Sequence, residues 1–330
     1  MAFLAYRIEK SDGEFVASWQ ERNESDLPEG EVLIDVAYSS VNYKDALSAN
    51  GNPGVTREYP HTPGIDAVGQ VAECATDEFS VGDEVVVFGY DLGMNTEGGF
   101  GQRIRVPAAW VLKKPEGISA AETMSWGTAG FTAALSVQKL ERAGITPERG
   151  PVLVTGATGG VGSVAVALLS SLGYSVTALS GKADKNEWLE SLGAKSIVGR
   201  DEVLALKGKA MAKPVYQAAV DTVGGDMVSA IIPQLMPEGA VTTCGMIAGT
   251  KVEASVFPFI LRGVSLLGVD SVEIPRKDKQ SVLDKAAGEW KLSCLEDMTT
   301  EIGRSDLPAV LDKVINGQGV GRYRVNLNKD

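Results

Sequence analysis

A glycine-rich turn is the part of the sequence whose spacing points most directly to chemistry. Residues 152–162 read VLVTGATGGVG, an apolar stretch followed by Gly156, Gly159, Gly160 and Gly162. Glycine lets the backbone turn tightly and approach a pyrophosphate, whose charge is met by the amides at the start of the next helix. The segment predicts a dinucleotide site rather than the alternative, a tight turn without a ligand. The predicted contacts are Thr158, Gly159, Gly160 and Val161.

The residues after the next apolar stretch decide which dinucleotide is expected. Residues 178–182 read ALSGK, and no acidic residue stands where a ribose 2′-hydroxyl normally finds one. Ser180, the Gly181 amide and Lys182 instead offer hydroxyl, amide and cationic donors, which suit a 2′-phosphate. Arg200 adds a second cation beyond the following strand. The pattern favours NADPH over NADH; the alternative is that Lys182 and Arg200 are solvated surface charges.

The composition is that of a globular chain and argues against nucleic-acid binding. The chain has 330 residues, of which 44% are hydrophobic and 22% charged, so it is long enough for two domains with separate cores. Its 31 basic and 43 acidic residues leave a net charge of −12, and no broad cationic surface for nucleic acid is expected. An anionic ligand therefore needs a local basic pocket.

Cysteine usage and the apolar runs indicate a cellular compartment. The three cysteines lack CxxC spacing, so neither a disulfide framework nor a four-cysteine zinc site is expected. The N-terminal residues lack a long apolar signal core, and the apolar run at 256–269 is interrupted by Arg262 well short of a bilayer span. We expect a soluble cytoplasmic protein that does not enter a membrane.

The first third of the chain has a β pattern. Val32, Ile34, Val36 and Tyr38 alternate along one face, which is typical of a half-buried strand. Turn signals then recur closely and separate short apolar stretches. These turns lie at residues 51–54, 62–64, 81–84 and 98–99. The pattern predicts a β-barrel or sandwich.

Beyond Gly150, strand and helix patterns alternate. The predicted strands are 152–155, 175–179, 196–198, 217–221, 240–244 and 265–269, and the predicted helices are 160–172, 185–192 and 226–236. This βαβ alternation requires crossover connections, so it predicts an α/β fold with a doubly wound parallel sheet. A helix at 307–315 and a strand pattern at 319–325 follow.

These patterns predict an interrupted domain arrangement. Residues 1–123 form the first part of a catalytic domain, and residues 124–265 form a dinucleotide-binding domain. Residues 266–330 add the last strand of the parallel sheet and return to the catalytic domain. The active site is expected in the cleft, where ligand pockets commonly form.

Five motifs carry a family resemblance. They are residues 42–47 (NYKDAL), 63–66 (PGID), 127–133 (GTAGFTA), 258–262 (PFILR) and 268–271 (GVDS). With them the chain resembles, over nearly its whole length, the zinc-free quinone oxidoreductase branch of the medium-chain dehydrogenase/reductase superfamily, and within it the bacterial acrylyl-CoA reductases. The resemblance implies a GroES-like β-barrel catalytic domain, a Rossmann domain, bound NADPH, a homodimer and reduction of an activated carbon–carbon double bond.

The same resemblance bears on metal binding. Zinc-dependent relatives carry a cysteine near the position of Asn42 and a His-Glu pair near Ile65 and Asp66, and this sequence has neither. The single histidine, His61, cannot assemble three zinc ligands around itself. The sequence predicts no catalytic metal and a loop position for His61.

Tyr43 and Asp45 are the predicted catalytic residues. Hydride addition to an α,β-unsaturated carbonyl places charge on the carbonyl oxygen, which then needs a donor. Tyr43 is that donor, because the resemblance puts its motif beside the nicotinamide; the alternative is an ordinary barrel tyrosine. Asp45 shares a strand face with Tyr43 if the segment is extended, and is otherwise a turn or cap residue. Thr128 either faces the nicotinamide or caps a helix.

Four further residues are predicted to contact the cofactor. Met246 follows the predicted strand 240–244, at the carboxyl edge where dinucleotides lie. Ile260 and Ser271 are carried over through the PFILR and GVDS motifs. Arg322 resembles the family's C-terminal basic position, where it reaches a phosphate of the cofactor or of coenzyme A; the alternative is a solvated arginine.

Three functions remain open at this stage. The subfamily motifs favour NADPH-dependent reduction of acryloyl-CoA to propionyl-CoA. Reduction of a free quinone or enone needs the same hydride geometry but no site for coenzyme A phosphates. An NADPH-binding module without turnover would keep the glycine-rich turn and lose the catalytic cleft, which Tyr43 and the intact β region argue against. Fold analogy does not select among substrates.

Overall fold

The chain divides into two units in the computed structural model, which describes residues 1–330. Unit 1 comprises Met1–Thr128 and Ser271–Asp330, and unit 2 comprises Ala129–Asp270. These limits lie a few residues beyond the predicted division at 123 and 265. The physical reason at the first limit is that the Thr128 amide donates a hydrogen bond of 2.9 Å to Asp66 in unit 1.

Unit 1 contains a hairpin and a seven-stranded sheet. Its strands are β1 (Ala2–Ser11), β2 (Glu14–Asn23), β3 (Val32–Ser40), β4 (Asp66–Cys74), β5 (Glu84–Phe88), β6 (Arg103–Val106), β7 (Val111–Lys113), β14 (Thr299–Ile302) and β15 (Arg322–Asn326). β1 and β2 form the antiparallel hairpin. The sheet has the order β14-β15-β3-β4-β5-β7, with β6 paired to β3.

The core of unit 1 follows from the alternation seen in β3. Val32, Ile34 and Val36 are buried, together with apolar residues of β4, β5 and β6. β15 pairs antiparallel with β3, so the C-terminal strand joins the sheet of the N-terminal region. The helices of this unit are α1 (Tyr43–Ala49), α8 (Arg276–Ala287) and α9 (Leu307–Ile315).

Unit 2 is a parallel sheet with helical crossovers. Its strands are β8 (Pro151–Val154), β9 (Ser175–Leu179), β10 (Ala194–Val198), β11 (Tyr216–Asp221), β12 (Leu235–Thr243) and β13 (Ser265–Gly268). Its helices are α3 (Gly160–Ser171), α4 (Asn186–Ser191), α5 (Arg200–Leu204), α6 (Asp226–Ile231) and α7 (Phe257–Arg262). β11 is buried along its whole length, as expected for a parallel strand covered on both faces.

The strand order β10-β9-β8-β11-β12-β13 reverses direction between β8 and β11, as in doubly wound dinucleotide-binding sheets. The predicted α/β fold is therefore confirmed. The predicted helix 226–236 is too long: α6 ends at Ile231, a short 3₁₀ turn containing Pro233 follows, and β12 begins at Leu235. Pro233 has no amide hydrogen to continue the helix.

One helix, α2 (Ala120–Arg142), is broken at Gly127, which has φ +51°. No helix in the chain has both the length and the apolar character needed to cross a membrane.

Candidate functional site

The glycine-rich turn of unit 2 connects β8 to α3. Gly156 has φ +55°, and a Cβ atom at this position would lie 2.4 Å from Thr222 Oγ1. No other residue fits both that conformation and that space. Thr222 in turn donates its hydroxyl to the Thr155 carbonyl at 2.9 Å, so the turn is held directly against the end of β11.

The four predicted pyrophosphate contacts meet at the start of α3. Thr158 is buried, while Gly159, Gly160 and Val161 are partly exposed. The first amides of a helix have no partner within the helix, and its dipole favours negative charge there. This turn therefore fits a diphosphate, which would approach bare backbone without meeting side chains.

Asp221 lies beneath this turn and was not predicted from the sequence. Its carboxylate accepts hydrogen bonds from the hydroxyls of Thr155 at 2.8 Å and Thr243 at 2.9 Å, and from the Gly224 amide at 2.9 Å. Burial raises the pKa of Asp221, and these hydrogen bonds oppose that shift. The carboxylate thus joins the ends of β8, β11 and β12. Its signal in the sequence is an acid that ends an apolar strand.

A pocket of about 510 Å³ lies at the ends of β9 and β10. Its lining includes Ser180, Gly181, Ala183, Asn186, Gly199 and Arg200. The Arg200 guanidinium lies beside Gly181, because a Cβ atom built there would be 3.4 Å from Arg200 Nη2. The structure therefore brings a hydroxyl, a backbone amide and a cation to one pocket, as a phosphate monoester requires.

Lys182 lies beside the pocket rather than in its lining. It lies next to the lining residue Gly181 but is not itself among the lining residues, and its amide donates to Ser180 Oγ at 3.0 Å. Burial lowers the pKa of its ammonium group. Arg200, which is exposed, is therefore the better-placed cation of the pair.

Three other predicted cofactor contacts, Met246, Ile260 and Ser271, lie on different segments of the chain. Met246 follows β12 at the carboxyl end of the sheet and is 53% exposed. Ile260 lies on α7, in the crossover between β12 and β13, and is 69% exposed. Ser271 begins the second segment of unit 1 and is half-buried. Their contacts with a cofactor stay predictions.

Tyr43 is the first residue of α1 in unit 1, which corrects one interpretation of the NYKD segment. The residues after Asn42 are helical, so the extended alternative for Tyr43 and Asp45 is wrong, and the two side chains do not share a face. Tyr43 is half-buried and its hydroxyl makes no hydrogen bond within the chain. A donor is thus left for a ligand.

Asp45 caps the helix, as the second alternative predicted. Its carboxylate accepts from the Asn42 amide at 2.7 Å and from the Ile65 amide at 2.8 Å, and the side chain is fully buried. Burial, followed by the charge of Asp66, raises the pKa of Asp45 to about 7. The structure thus makes Asp45 a capping residue that is enclosed by protein, which argues against the predicted catalytic role.

Asp66 is the centre of this region and was missed as a site residue. It accepts hydrogen bonds from Asn42 Nδ2 at 2.8 Å, from the Thr128 amide at 2.9 Å, and from the hydroxyls of Thr128 and Ser40. The available signal was an acid at the head of strand β4, followed by Ala67 and Val68, at a position where the resemblance places a ligand motif in zinc-dependent relatives. Thr128 is thereby bonded to Asp66 through both its amide and its hydroxyl.

Arg322 is buried in the same cluster, with 2% of its surface exposed. It donates to Ser40 Oγ at 2.9 Å, to the Ser125 carbonyl at 2.9 Å and to the Val41 carbonyl at 3.4 Å. The solvated alternative is therefore wrong, and these protein acceptors leave the guanidinium poorly placed for a cofactor phosphate. Burial lowers the pKa of Arg322 to about 10, so it stays charged at neutral pH.

Gly127 shows how tightly this cluster is packed. A Cβ atom there would lie 2.4 Å from Ser40 Oγ, 2.6 Å from Arg322 Nη2 and 2.8 Å from Asp66 Oδ2. Only glycine therefore fits at the break in α2, because buried polar groups occupy the space that a side chain would need and φ is positive there. Beyond the break, Asp66 accepts from the Thr128 amide, which satisfies one free donor of the continuing helix.

The chain offers no ready metal site. No group of three or more His, Cys, Asp or Glu side chains is placed to hold an ion. Asn42 and Asp66, which stand where the resemblance places zinc ligands in zinc-dependent relatives, are hydrogen-bonded to each other.

The sheet order, the glycine turn and the adjoining pocket define a dinucleotide-binding protein. Two family models match the chain: the alcohol dehydrogenase GroES-like domain over residues 28–116 and the zinc-binding dehydrogenase model over residues 160–288. The chain belongs to the medium-chain dehydrogenase/reductase family of oxidoreductases.

Three relatives are similar over nearly the full length. Acrylyl-CoA reductase AcuI of Ruegeria pomeroyi is 41% identical over 328 residues, which cover 99% of each chain. The yhdH oxidoreductase of Salmonella enterica, solved in complex with NADP, has a TM-score of 0.95 and 42% identity, and the match covers 99% of this chain and 100% of that chain. Bacillus subtilis yhfP, a putative quinone oxidoreductase solved with NAD bound, has a TM-score of 0.96 and 40% identity, with the same coverage.

Proposed function

We propose that the protein is an NADPH-dependent reductase of α,β-unsaturated thioesters, with acryloyl-CoA reduced to propionyl-CoA as the expected reaction. The observation that carries the substrate class is the similarity to an acrylyl-CoA reductase over 99% of both chains. The geometry of unit 1 supports it, because a free tyrosine hydroxyl stands at the start of α1.

The residues of unit 2 fit a phosphorylated dinucleotide. The amides of residues 158–161 would hold the pyrophosphate, and the pocket containing Ser180, Gly181 and Arg200 would hold the 2′-phosphate. The relatives include one solved with NADP and one with NAD, so the lining of this pocket supports the choice of NADPH more than the family does.

Tyr43 is the proposed donor to the substrate carbonyl. When bound, the nicotinamide supplies the hydride that reduces the double bond. The Tyr43 hydroxyl would donate a hydrogen bond or a proton as negative charge develops on the carbonyl oxygen. A neutral phenol can stabilise that charge without ionising. Asp45 and Asn42 keep its helix in place and do not themselves touch substrate.

The test is anaerobic oxidation of NADPH with acryloyl-CoA, crotonyl-CoA and a simple benzoquinone in parallel. We expect the thioesters to be reduced with much higher kcat/KM than the quinone. Tyr43→Phe should lower turnover roughly ten- to a thousandfold with little change in NADPH affinity, since the donor strengthens mainly in the transition state. Tyr323→Phe, which removes the same atom from another half-buried tyrosine, is the control.

Reduction of a free quinone or enone is the second function, favoured by the 40% identity to the putative quinone oxidoreductase YhfP. A clear preference for the quinone in the same assay would select it. Binding of NADPH without turnover of any acceptor would instead support a binding module.

We also propose a homodimer in the cytoplasm. β13 is an open edge of the parallel sheet, and most of the large exposed apolar side chains lie between residues 246 and 266, Ile260 and Leu261 among them. An apolar edge of this kind suits pairing with a second copy. Light scattering should give a molecular mass of twice 34.7 kDa, and Leu261→Glu should lower the measured mass to that of the monomer.

The proposed cytoplasmic location is supported by the cysteines. The three cysteines are free thiols, which suits a reducing compartment.

A further inference from the structure

The start of α1 is held by two buried carboxylates. Asn42, the N-cap residue, donates its amide to Asp45 and its side-chain Nδ2 to Asp66 Oδ2 at 2.8 Å. Backbone and side chain of Asn42 are therefore both bonded. Because Tyr43 is the next residue, its Cα position is set by groups that the solvent does not reach.

Asp66 is itself fixed by elements other than α1. Ser40 at the end of β3 and Thr128 after the helix break both donate to its carboxylate. Arg322 on β15 holds Ser40 through a bond of 2.9 Å to Oγ. Asp66 thus links the positions of β3, β15 and Thr128 to the start of α1.

We propose that Asp66 is a positioning residue for the reaction: acting through Asn42, it sets the place of the Tyr43 hydroxyl. The inference rests on the proposed function, since it needs Tyr43 to act at the substrate carbonyl. Asp66 is fully buried, so it acts without touching the substrate. A donor to developing charge works only in a narrow geometry, and a displacement near 1 Å can cost about a hundredfold in rate.

Two variants disrupt the contacts that run from Asp66 through Asn42 to Tyr43, each at a different residue. Asp66→Asn replaces an acceptor with a donor at the carboxylate. Asn42→Ala removes the Nδ2 bonds to Asp66 and Ser40 and the side-chain half of the capping box, while the bonds from Thr128 to Asp66 and from Arg322 to Ser40 remain. Each should lower kcat for acryloyl-CoA roughly ten- to a hundredfold with the KM for NADPH unchanged. Ser39→Ala is the matched control, because Ser39 donates to the Asp66 backbone carbonyl and not to its carboxylate.

A double-mutant cycle separates positioning from a general structural effect. If Asp66 acts through Tyr43, adding Asn42→Ala or Asp66→Asn to Tyr43→Phe lowers kcat no further. Losses that multiply, or full activity in Asn42→Ala, would overturn the proposal. Should Asp66→Asn fail to fold, Asn42→Ala carries the test by itself.

A second readout does not depend on turnover. The protein can be labelled with 3-fluorotyrosine, and the ¹⁹F resonance of Tyr43 assigned by its disappearance in Tyr43→Phe. Asn42→Ala should shift or broaden that resonance, and Ser39→Ala should leave it in place. Absence of turnover in the unmutated protein would defeat the proposed function, whereas an unmoved resonance in Asn42→Ala would defeat the positioning role.

Discussion

Each unit holds an arginine beside its candidate site, and the two side chains have opposite surroundings. Arg200, at the start of α5 in unit 2, is exposed and lines the pocket beside Gly181. Arg322, at the start of β15 in unit 1, is 2% exposed and donates to Ser40, Val41 and Ser125.

The difference shows that burial decides which of these two cations stabilises the fold and which can bind a ligand. A buried guanidinium must satisfy its donors inside the protein, since an unpaired buried charge costs several kcal/mol. Arg322 is therefore committed to the network around Asp66. An exposed guanidinium keeps its planar donors for a ligand, and phosphate is the group that they fit best.

The largest expected effect is on folding, from Arg322→Ala. Removing this cation leaves Asp45 and Asp66 facing each other without it, so the free energy of unfolding should fall by about 3–5 kcal/mol. Arg200→Ala should change it by no more than about 0.5 kcal/mol. Urea unfolding of both variants measures the two changes in the free energy of unfolding. Equal stabilities of the two variants would contradict the difference drawn between Arg322 and Arg200.

A substitution of Asp45 should change the free energy of unfolding less than Arg322→Ala does. A carboxyl group can lose its charge by protonation, whereas Arg322 keeps its charge at neutral pH. The pKa of Asp45 is raised from 3.8 to about 7 in the folded state, so the folded protein binds this proton more tightly than the unfolded chain. Its contribution to stability is thus present at low pH and is lost as the pH rises from about 4 through 7.

Asp45→Asn removes this titration. The difference in unfolding free energy between the unmutated protein and the variant should fall between pH 5 and pH 7 and level off above it. A difference independent of pH would show that Asp45 does not change protonation in this range.

The next effect is on cofactor choice. Arg200→Ala should weaken NADPH binding by about 1.5–3 kcal/mol and leave NADH affinity unchanged, because only NADPH carries the 2′-phosphate. Lys182→Ala should weaken NADPH selectively but by less, since Lys182 is not a lining residue. Titration calorimetry measures each affinity, with the exposed Lys195 on β10 changed to alanine as control. Equal affinities for the two dinucleotides in the unmutated protein would contradict this assignment.

The smallest expected effect is that of metal removal, which should be none. Asn42 and Asp66 use their polar atoms on each other and on neighbouring protein groups, and Ile65 offers no ligand side chain. Exhaustive chelation should leave turnover unchanged. A stoichiometric metal whose loss abolishes activity would contradict this prediction.

Local pattern was enough for the parallel sheet and its glycine turn. β9 spans residues 175–179 and α9 spans 307–315, as predicted, because hydrophobic periodicity and glycine at helix ends are short-range signals. The glycine turn was also predictable, since Gly156 is required by the conformation and close packing of the turn itself. Ser180 and Arg200, which line the same pocket, could be singled out because each follows a strand in the same way.

The hydrogen-bond network around Asp66 in unit 1 could not be predicted from such short-range signals. Ser40, Asn42, Asp66, Thr128 and Arg322 span 282 positions in the chain and meet only in the folded unit. A single sequence shows an arginine but not whether its guanidinium will be buried. By itself the sequence determined the fold class and the dinucleotide turn, and it singled out Tyr43 as a predicted donor. Only tertiary structure decided that Arg322 supports the fold while Arg200 stays exposed, because burial and the partners available to a charge depend on which distant segments pack around it.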